Sequence, residues 1–143
     1  MEREPFFVER TYDAPASNVW QAISDVGLIR EWYFNVNAFE AEVGFEFTFV
    51  SQDCKEGNRH VCKVTEVIPG KKLSYTWRLD GYDGDSLVTF EIFEEGKNKT
   101  RLRITHSGLE TFPHDLILSK NITGGWTYLL SEPLKNVAEK LKV

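Results

Sequence analysis

The spacing of apolar and polar positions along this chain changes period twice. Phe6 to Tyr12 is rich in aromatic and branched residues and predicts a strand. Asp13-Ala14-Pro15 ends it, and Pro15 suits the first position of a helix, where its missing N–H costs nothing. That helix is expected to run to about Ser24 and to bury Val19, Trp20 and Ile23 on one face. A second short helix around Gly27 to Trp32 would bury Leu28, Ile29 and Trp32. Both are too short to stand alone and must pack on something larger.

From about Val36 to Ser107 the period becomes two. Phe45, Phe47 and Phe49 alternate with Glu46 and Thr48. Val61 to Ile68 predicts another strand, and Pro69-Gly70-Lys71-Lys72 a turn after it. Leu73, Tyr75, Trp77 and Leu79 then alternate with Ser74, Thr76, Arg78 and Asp80. Gly81 to Asp85 and Gly96-Lys97-Asn98 read as turns around a strand from Leu87 to Phe93. Thr100 to His106 reads as the last strand, with Leu102, Ile104 and His106 on one face. Closely spaced strands joined by short turns predict an antiparallel meander with one polar face.

The final segment returns to helical spacing. Trp126, Leu130, Leu134, Val137 and Leu141 form one apolar stripe along a helix of several turns. Pro133 lies inside it and should kink it or break it locally. The order is therefore strand, two short helices, curved sheet, long helix. The apolar face of the sheet needs a cover, and the long helix is the element of a size to supply it.

The chain has 143 residues, one domain's worth, and residues 1–143 are expected to form a single domain. Aromatic residues make up 13% of it, and the only Met is the initiator. Rigid rings without Met filler predict a wide, well-defined interior. Lys and Arg number 17 against 22 Asp and Glu, a net charge of −5. An acidic chain with no basic stripe is a poor fit to nucleic acid. Charges interrupt every apolar run near the start, so neither a signal peptide nor a membrane span is expected, and the protein is expected to be cytoplasmic. Cys54 and Cys62 are expected to be free thiols, with a disulfide between them the minor alternative. No Cys or His spacing suits zinc, and no Gly-rich loop suits phosphate, so no cofactor or metal is expected.

Several stretches together resemble a known group. They are Glu9 to Pro15 with Val19 to Ile23 behind it, Trp32-Tyr33-Phe34, Val43 to Phe47, Val67 to Trp77, Thr100 to Gly108, and Gly125-Trp126. In this order the chain resembles the START-like (SRPBCC) superfamily. Within it the chain is similar to the family named for the activator of the heat shock protein 90 ATPase, in that activator's C-terminal domain. The resemblance implies an α+β helix-grip fold. A curved antiparallel sheet of about six or seven strands would wrap around one long C-terminal helix, with two short helices after the first strand. It also implies a cavity between helix and sheet that takes lipids, polyketides or other apolar molecules.

On that architecture Phe47, Tyr75, Trp77, Leu102, Ile104, His106, Trp126 and Leu130 are candidates to line the interior. Trp32 and Tyr33 are candidates to guard its open end, and Leu109 to Asn121 a flap over it. The alternative is that these rings simply fill the core. His106 is a candidate acid or base, but an inward His is more often satisfied structurally. Ser107 points to the opposite face and forms no dyad with it. Three functions follow. The first is a binder of a small apolar molecule, lipid-like or aromatic, acting as a monomer or weak dimer. The second is a protein-interaction module with a chaperone as partner. The third is a cyclase- or hydrolase-type enzyme using His106 and Tyr75.

Overall fold

The computed structural model describes residues 6–32, 36, 38–50, 59–79, 86–108 and 126–140. Strand β1 spans Phe6–Tyr12, helix α1 Ala16–Ser24 and helix α2 Val26–Trp32. The meander follows: β2 Glu46–Val50, β3 Arg59–Ile68, β4 Lys72–Leu79, β5 Ser86–Gly96 and β6 Lys99–Ser107. Residues 126–131 are helical, residue 132 is a turn, and α3 spans Pro133–Lys140. This is the helix-grip α+β fold.

The six strands lie in the order β1-β6-β5-β4-β3-β2 and every pair is antiparallel. The chain leaves β1 through the two short helices, starts again at the far edge and works back to β6. Pairs such as Val8↔Ile104, Phe90↔Ile104, Tyr75↔Val88 and Phe47↔Cys62 set one apolar row on the concave face. Register shifts between Val64 and Glu66, so Cys62 and Val64 face inward before the irregularity and Val67 sits opposite buried Leu73 after it. Gly44, at φ 94°, turns the chain into β2, and its N–H meets the Val64 carbonyl at 2.8 Å. Period two begins later than the sequence predicts: residues 36 and 38–45 are not strand.

Several details of the helices differ from expectation. Pro15 is the N-cap of α1 rather than its first residue, with φ −70° and ψ 158°. The extended ψ is what a residue just outside the helix adopts. Alpha-1 buries Asn18, Val19, Ala22 and Ile23, while Trp20 is half-buried at the edge of the core. In α2, Ile29 and Trp32 are buried, and Leu28 is half-buried.

The C-terminal helix breaks beside Pro133, as its missing N–H requires. Helical hydrogen bonds continue on both sides: Glu132 N–H to the Tyr128 carbonyl at 3.1 Å and Asn136 N–H to the Glu132 carbonyl at 3.0 Å. Trp126, Leu130, Leu134 and Ala138 form the buried stripe, with Val137 half-buried beside it. Four side chains tie both halves to the front of the chain. Arg10 Nε donates to Ser131 Oγ at 3.0 Å, and Tyr12 O–H to the Leu130 carbonyl at 2.8 Å. Asn18 Nδ2 donates to the Ala138 carbonyl at 3.2 Å, and Glu139 Oε2 accepts from the Asp13 N–H at 2.8 Å. Burial holds the Tyr12 phenol well above its ordinary pKa, so the hydroxyl keeps its proton and remains a donor. No helix among the described residues is long and apolar enough to cross a membrane.

Candidate functional site

Alternation on the strands projects a band of rings into the grip. At one end, Phe39 meets Phe47 edge-on at 5.2 Å, and Phe47 meets Tyr75 at 5.0 Å. Tyr75 contacts Phe90 at 5.8 Å, and Phe90 meets both Trp32 at 6.4 Å and Trp126 at 5.9 Å. From Trp126 the band continues to His106 at 6.2 Å, Trp77 at 5.2 Å, His60 at 4.6 Å and Phe49 at 4.7 Å. Most of these contacts are edge-to-face, the arrangement that sets the positive edge of one ring on the negative face of the next.

One run of hydrogen bonds crosses this band. The Trp126 indole N–H donates to His106 Nδ1 at 3.0 Å. An indole nitrogen is only a donor, so Nδ1 must be the accepting nitrogen and Nε2 must carry the proton. Nε2–H then donates to Ser86 Oγ at 2.8 Å, and the Ser86 O–H donates to the Trp77 carbonyl at 2.6 Å. Every donor in the run has an acceptor. Burial pushes the His106 pKa down to about 3, so the ring is neutral at physiological pH. Its one basic lone pair is occupied by the indole, and Ser86 gives its proton to a carbonyl. The pair is thus a structural relay, not an activated nucleophile. Burial likewise lowers His60 to about 4 and raises the Cys62 thiol well above its ordinary value. Cys62 is a free, buried thiol, not a thiolate.

The rings leave little room among the described residues. A gap of about 10 Å3 lies among Ile23, Ile29, Trp32, Phe39, Phe47, Tyr75 and Phe90. That is roughly the space one water needs, with an apolar lining that offers it few partners. A second hollow of about 380 Å3 is a surface groove between α2 and α3, floored by Leu28, Pro133 and Val137. Among the described residues, no group of three or more His, Cys, Asp or Glu is placed to hold a metal ion.

The structure brings Trp32, Phe47, Tyr75, Trp77, His106, Trp126 and Leu130 together, each at most 5% exposed. Leu102 and Ile104 are buried on the same face. Trp32 lies in the core beside them. It is 2% exposed, and its indole N–H donates to the Ala22 carbonyl at 2.6 Å, which fixes it between α1 and the sheet. Tyr33, the proposed flap from Leu109 to Asn121 and Cys54 lie outside the described residues. Sequence reasoning missed Phe39, His60, Ser86 and Phe90. Three of these had a legible signal: His60 alternates with Cys62 and Val64, and Ser86 with Val88 and Phe90.

Comparison with known proteins places this geometry. The sequence pattern of the family described as "Activator of Hsp90 ATPase homolog 1-like protein" matches residues 13–139. A crystal structure of a protein from Mesorhizobium loti is 29% identical, with a TM-score of 0.80, covering 98% of this chain and 100% of that one. A solution structure of a Bacillus halodurans protein is 27% identical, with a TM-score of 0.75 over 96% of this chain and 99% of that one. A crystal structure from Chromobacterium violaceum shares the fold at 23% identity, with a TM-score of 0.78 over 96% of this chain and 98% of that one. No curated protein matches by sequence.

Proposed function

The chain belongs to the family of Activator of Hsp90 ATPase homolog 1-like proteins, and from that premise we propose that residues 1–143 form one START-like domain that binds a small hydrophobic or aromatic molecule between sheet and C-terminal helix. The observation that carries this reading is the continuous band of rings on the concave face, closed at one side by a fully paired polar run. Trp32, Phe47, Tyr75, Trp77, His106, Trp126 and Leu130 would contact the ligand, together with Tyr33. His106 acts here as a fixed neutral group that holds Trp126, not as a base.

Ligand pockets usually measure about 300–1,000 Å3, whereas the gap beside Phe47 is about 10 Å3. Binding therefore requires the sheet and the helix to part. Moving the first part of the helix about the break beside Pro133 would release the bonds of Ser131 to Arg10, Leu130 to Tyr12 and Trp126 to His106, while α3 stays docked through Asn18 and Glu139. We place the protein in the cytoplasm, as a monomer or weak dimer.

Native mass spectrometry of gently purified protein, followed by denaturing extraction, tests this. A co-purifying apolar molecule supports it. Protein that is empty and takes up no apolar probe overturns it. That result would favour the second reading, a protein-interaction module with a chaperone as partner. Phe7 is 59% exposed on the outer face of the sheet, where Arg103 lies over its ring, but a single exposed ring does not mark an interface. Pull-down with the chaperone is then the deciding experiment.

A further inference from the structure

The groove between α2 and α3 has a volume of about 380 Å3 and is lined by Leu28, Glu31, Pro133, Asn136, Val137 and Lys140. Its floor comes from two apolar stripes that the fold does not finish covering: Leu28 and Val137 lie at core-facing spacings, yet both remain half-buried. Its walls carry opposite charges, Glu31 on α2 and Lys140 on α3, both exposed. Neighbouring charges are already committed. Arg30 Nε donates to the Val36 carbonyl at 3.1 Å, and Lys135 pairs with Glu139, which also accepts from the Asp13 N–H. Glu31 and Lys140, by contrast, take part in no ion pair and no side-chain hydrogen bond among the described residues.

A surface with an unpaired anion on one wall, an unpaired cation on the other and an apolar floor between them is complementary to its own copy. Two-fold symmetry makes residue i of one protomer meet residue j of the other, and j meet i. The relief of the surface suits this. Asn136 and Lys140, four apart, form a ridge along α3, and Pro133 and Val137, also four apart, floor the hollow beside it. Ridges of this spacing pack into the matching grooves of a second helix pair. Laid into the groove of a second copy, the Lys140 stem covers the apolar floor at Leu28 while its ammonium reaches Glu31. The net charge of −5 on each copy opposes this only weakly. It is screened over about 8 Å at physiological ionic strength, whereas the wall charges meet in contact. Helices α2 and α3 are short, 7 and 8 residues. The contact therefore falls below the ~1,200–2,000 Å2 of a stable interface, and the association is weak.

We propose that this groove is a self-association surface. Two copies of the chain dock across a two-fold axis, the Asn136–Lys140 ridge of each lying in the α2–α3 groove of the other, with Lys140 of each on Glu31 of the other. This does not depend on the ligand-binding reading above, since none of the six residues lining the groove belongs to the band of rings.

The test is sedimentation velocity of the full chain at neutral pH and about 0.15 M salt. It compares the native protein with Glu31→Lys, Lys140→Glu and the double exchange of the two. Both positions are exposed, and circular dichroism checks that each variant keeps the native fold. The native protein is expected to associate reversibly with a Kd of about 10–100 μM. Symmetry repeats each contact, so a single reversal turns two attractions into two repulsions and should weaken association at least about 10-fold. An equimolar mixture of the two single variants sets Lys against Glu at both contacts. It should recover the native Kd within about threefold, as should the double exchange. Native protein that stays monomeric up to about 1 mM overturns the proposal. So does a dimer whose Kd either single variant leaves unchanged. A mixture that associates no better than the single variants alone overturns the pairing of Glu31 with Lys140.

Discussion

Acid should weaken this fold at pH values where carboxylates are still ionised, and His106 should account for about half of the effect carried by the interior histidines. An unfolded His titrates near 6.5. In the folded protein burial lowers His106 to about 3 and His60 to about 4. Protonating His106 Nδ1 would also set a new N–H against the indole N–H of Trp126, only 3.0 Å away. Folded pKa values that are depressed mean that stability is fully present above about pH 6.5 and is lost as pH falls toward the folded values. Between about pH 6.5 and 4 the unfolded chain holds one more proton per histidine. The slope is then about 2 × 1.36, or roughly 2.7 kcal/mol per pH unit. By pH 5 the loss is about 2 × 1.5 × 1.36, or roughly 4 kcal/mol. That is a large part of the ~5–15 kcal/mol available to a domain. The assay is urea unfolding followed by tryptophan fluorescence from about pH 7.5 to 5, on the native protein and on His106→Gln. Glutamine offers an acceptor to the Trp126 indole and a donor to Ser86, and it does not titrate. Groups common to both proteins cancel in the difference. The variant should be less stable near pH 7.5, by about 1–3 kcal/mol for imperfect hydrogen bonds. Its slope below about pH 6 should be shallower by roughly 1.4 kcal/mol per pH unit. Parallel slopes in the two proteins would refute the claim that His106 is buried in its neutral form.

Three further outcomes are expected. Trp126 is 3% exposed and both packs on Phe90 and bonds His106, so Trp126→Ala should cost about 3–5 kcal/mol; a thermal midpoint close to that of the native protein would contradict its place in the core. Tyr12→Phe removes the donor to the Leu130 carbonyl and should cost about 1–2 kcal/mol in chemical denaturation, with hydrogen exchange rising first in the C-terminal helix. Glu9→Gln removes the acid shared by Arg101 and Arg103 on the partly exposed outer face; its cost should stay below about 1 kcal/mol and shrink in high salt.

How far a sequence can be read depends on the range of the interaction that decides each feature. Period two places Phe47, Phe49, Leu73, Tyr75, Trp77, Leu102, Ile104 and His106 on one buried face, because a strand alternates its side chains whatever it pairs with. The same local logic marks β1 from Phe6, the turn at Gly70 and the break beside Pro133, each of which depends on a few adjacent residues. Helix faces were less legible. Trp20 and Leu28 sit at the margin of the stripe, and only contact with the sheet and with α3 decides that Ala22 and Ala138 are buried and these two are not wholly so. Trp32 is legible as an apolar helix position, but its place in the core depends on the Ala22 carbonyl ten residues earlier.

The chemistry of His106 lay beyond the sequence for the same reason. Alternation turns it inward, but an inward histidine is equally a base, a ligand or a strut. Its role is set by Ser86 and Trp126, each twenty residues away along the chain. The pairing of Val88 with His106 across β5 and β6 brings Ser86 within reach, and the gripping helix delivers the indole from the other side. Sequence by itself determined the strands, the break in the last helix and the apolar face. Tertiary structure alone decided that the histidine is neutral, that its serine partner is inert, and that the rings close on one another edge to face. Backbone periodicity is a local property of the chain, whereas a proton's position and a ring's neighbour depend on which distant residues the fold brings within about 3–6 Å.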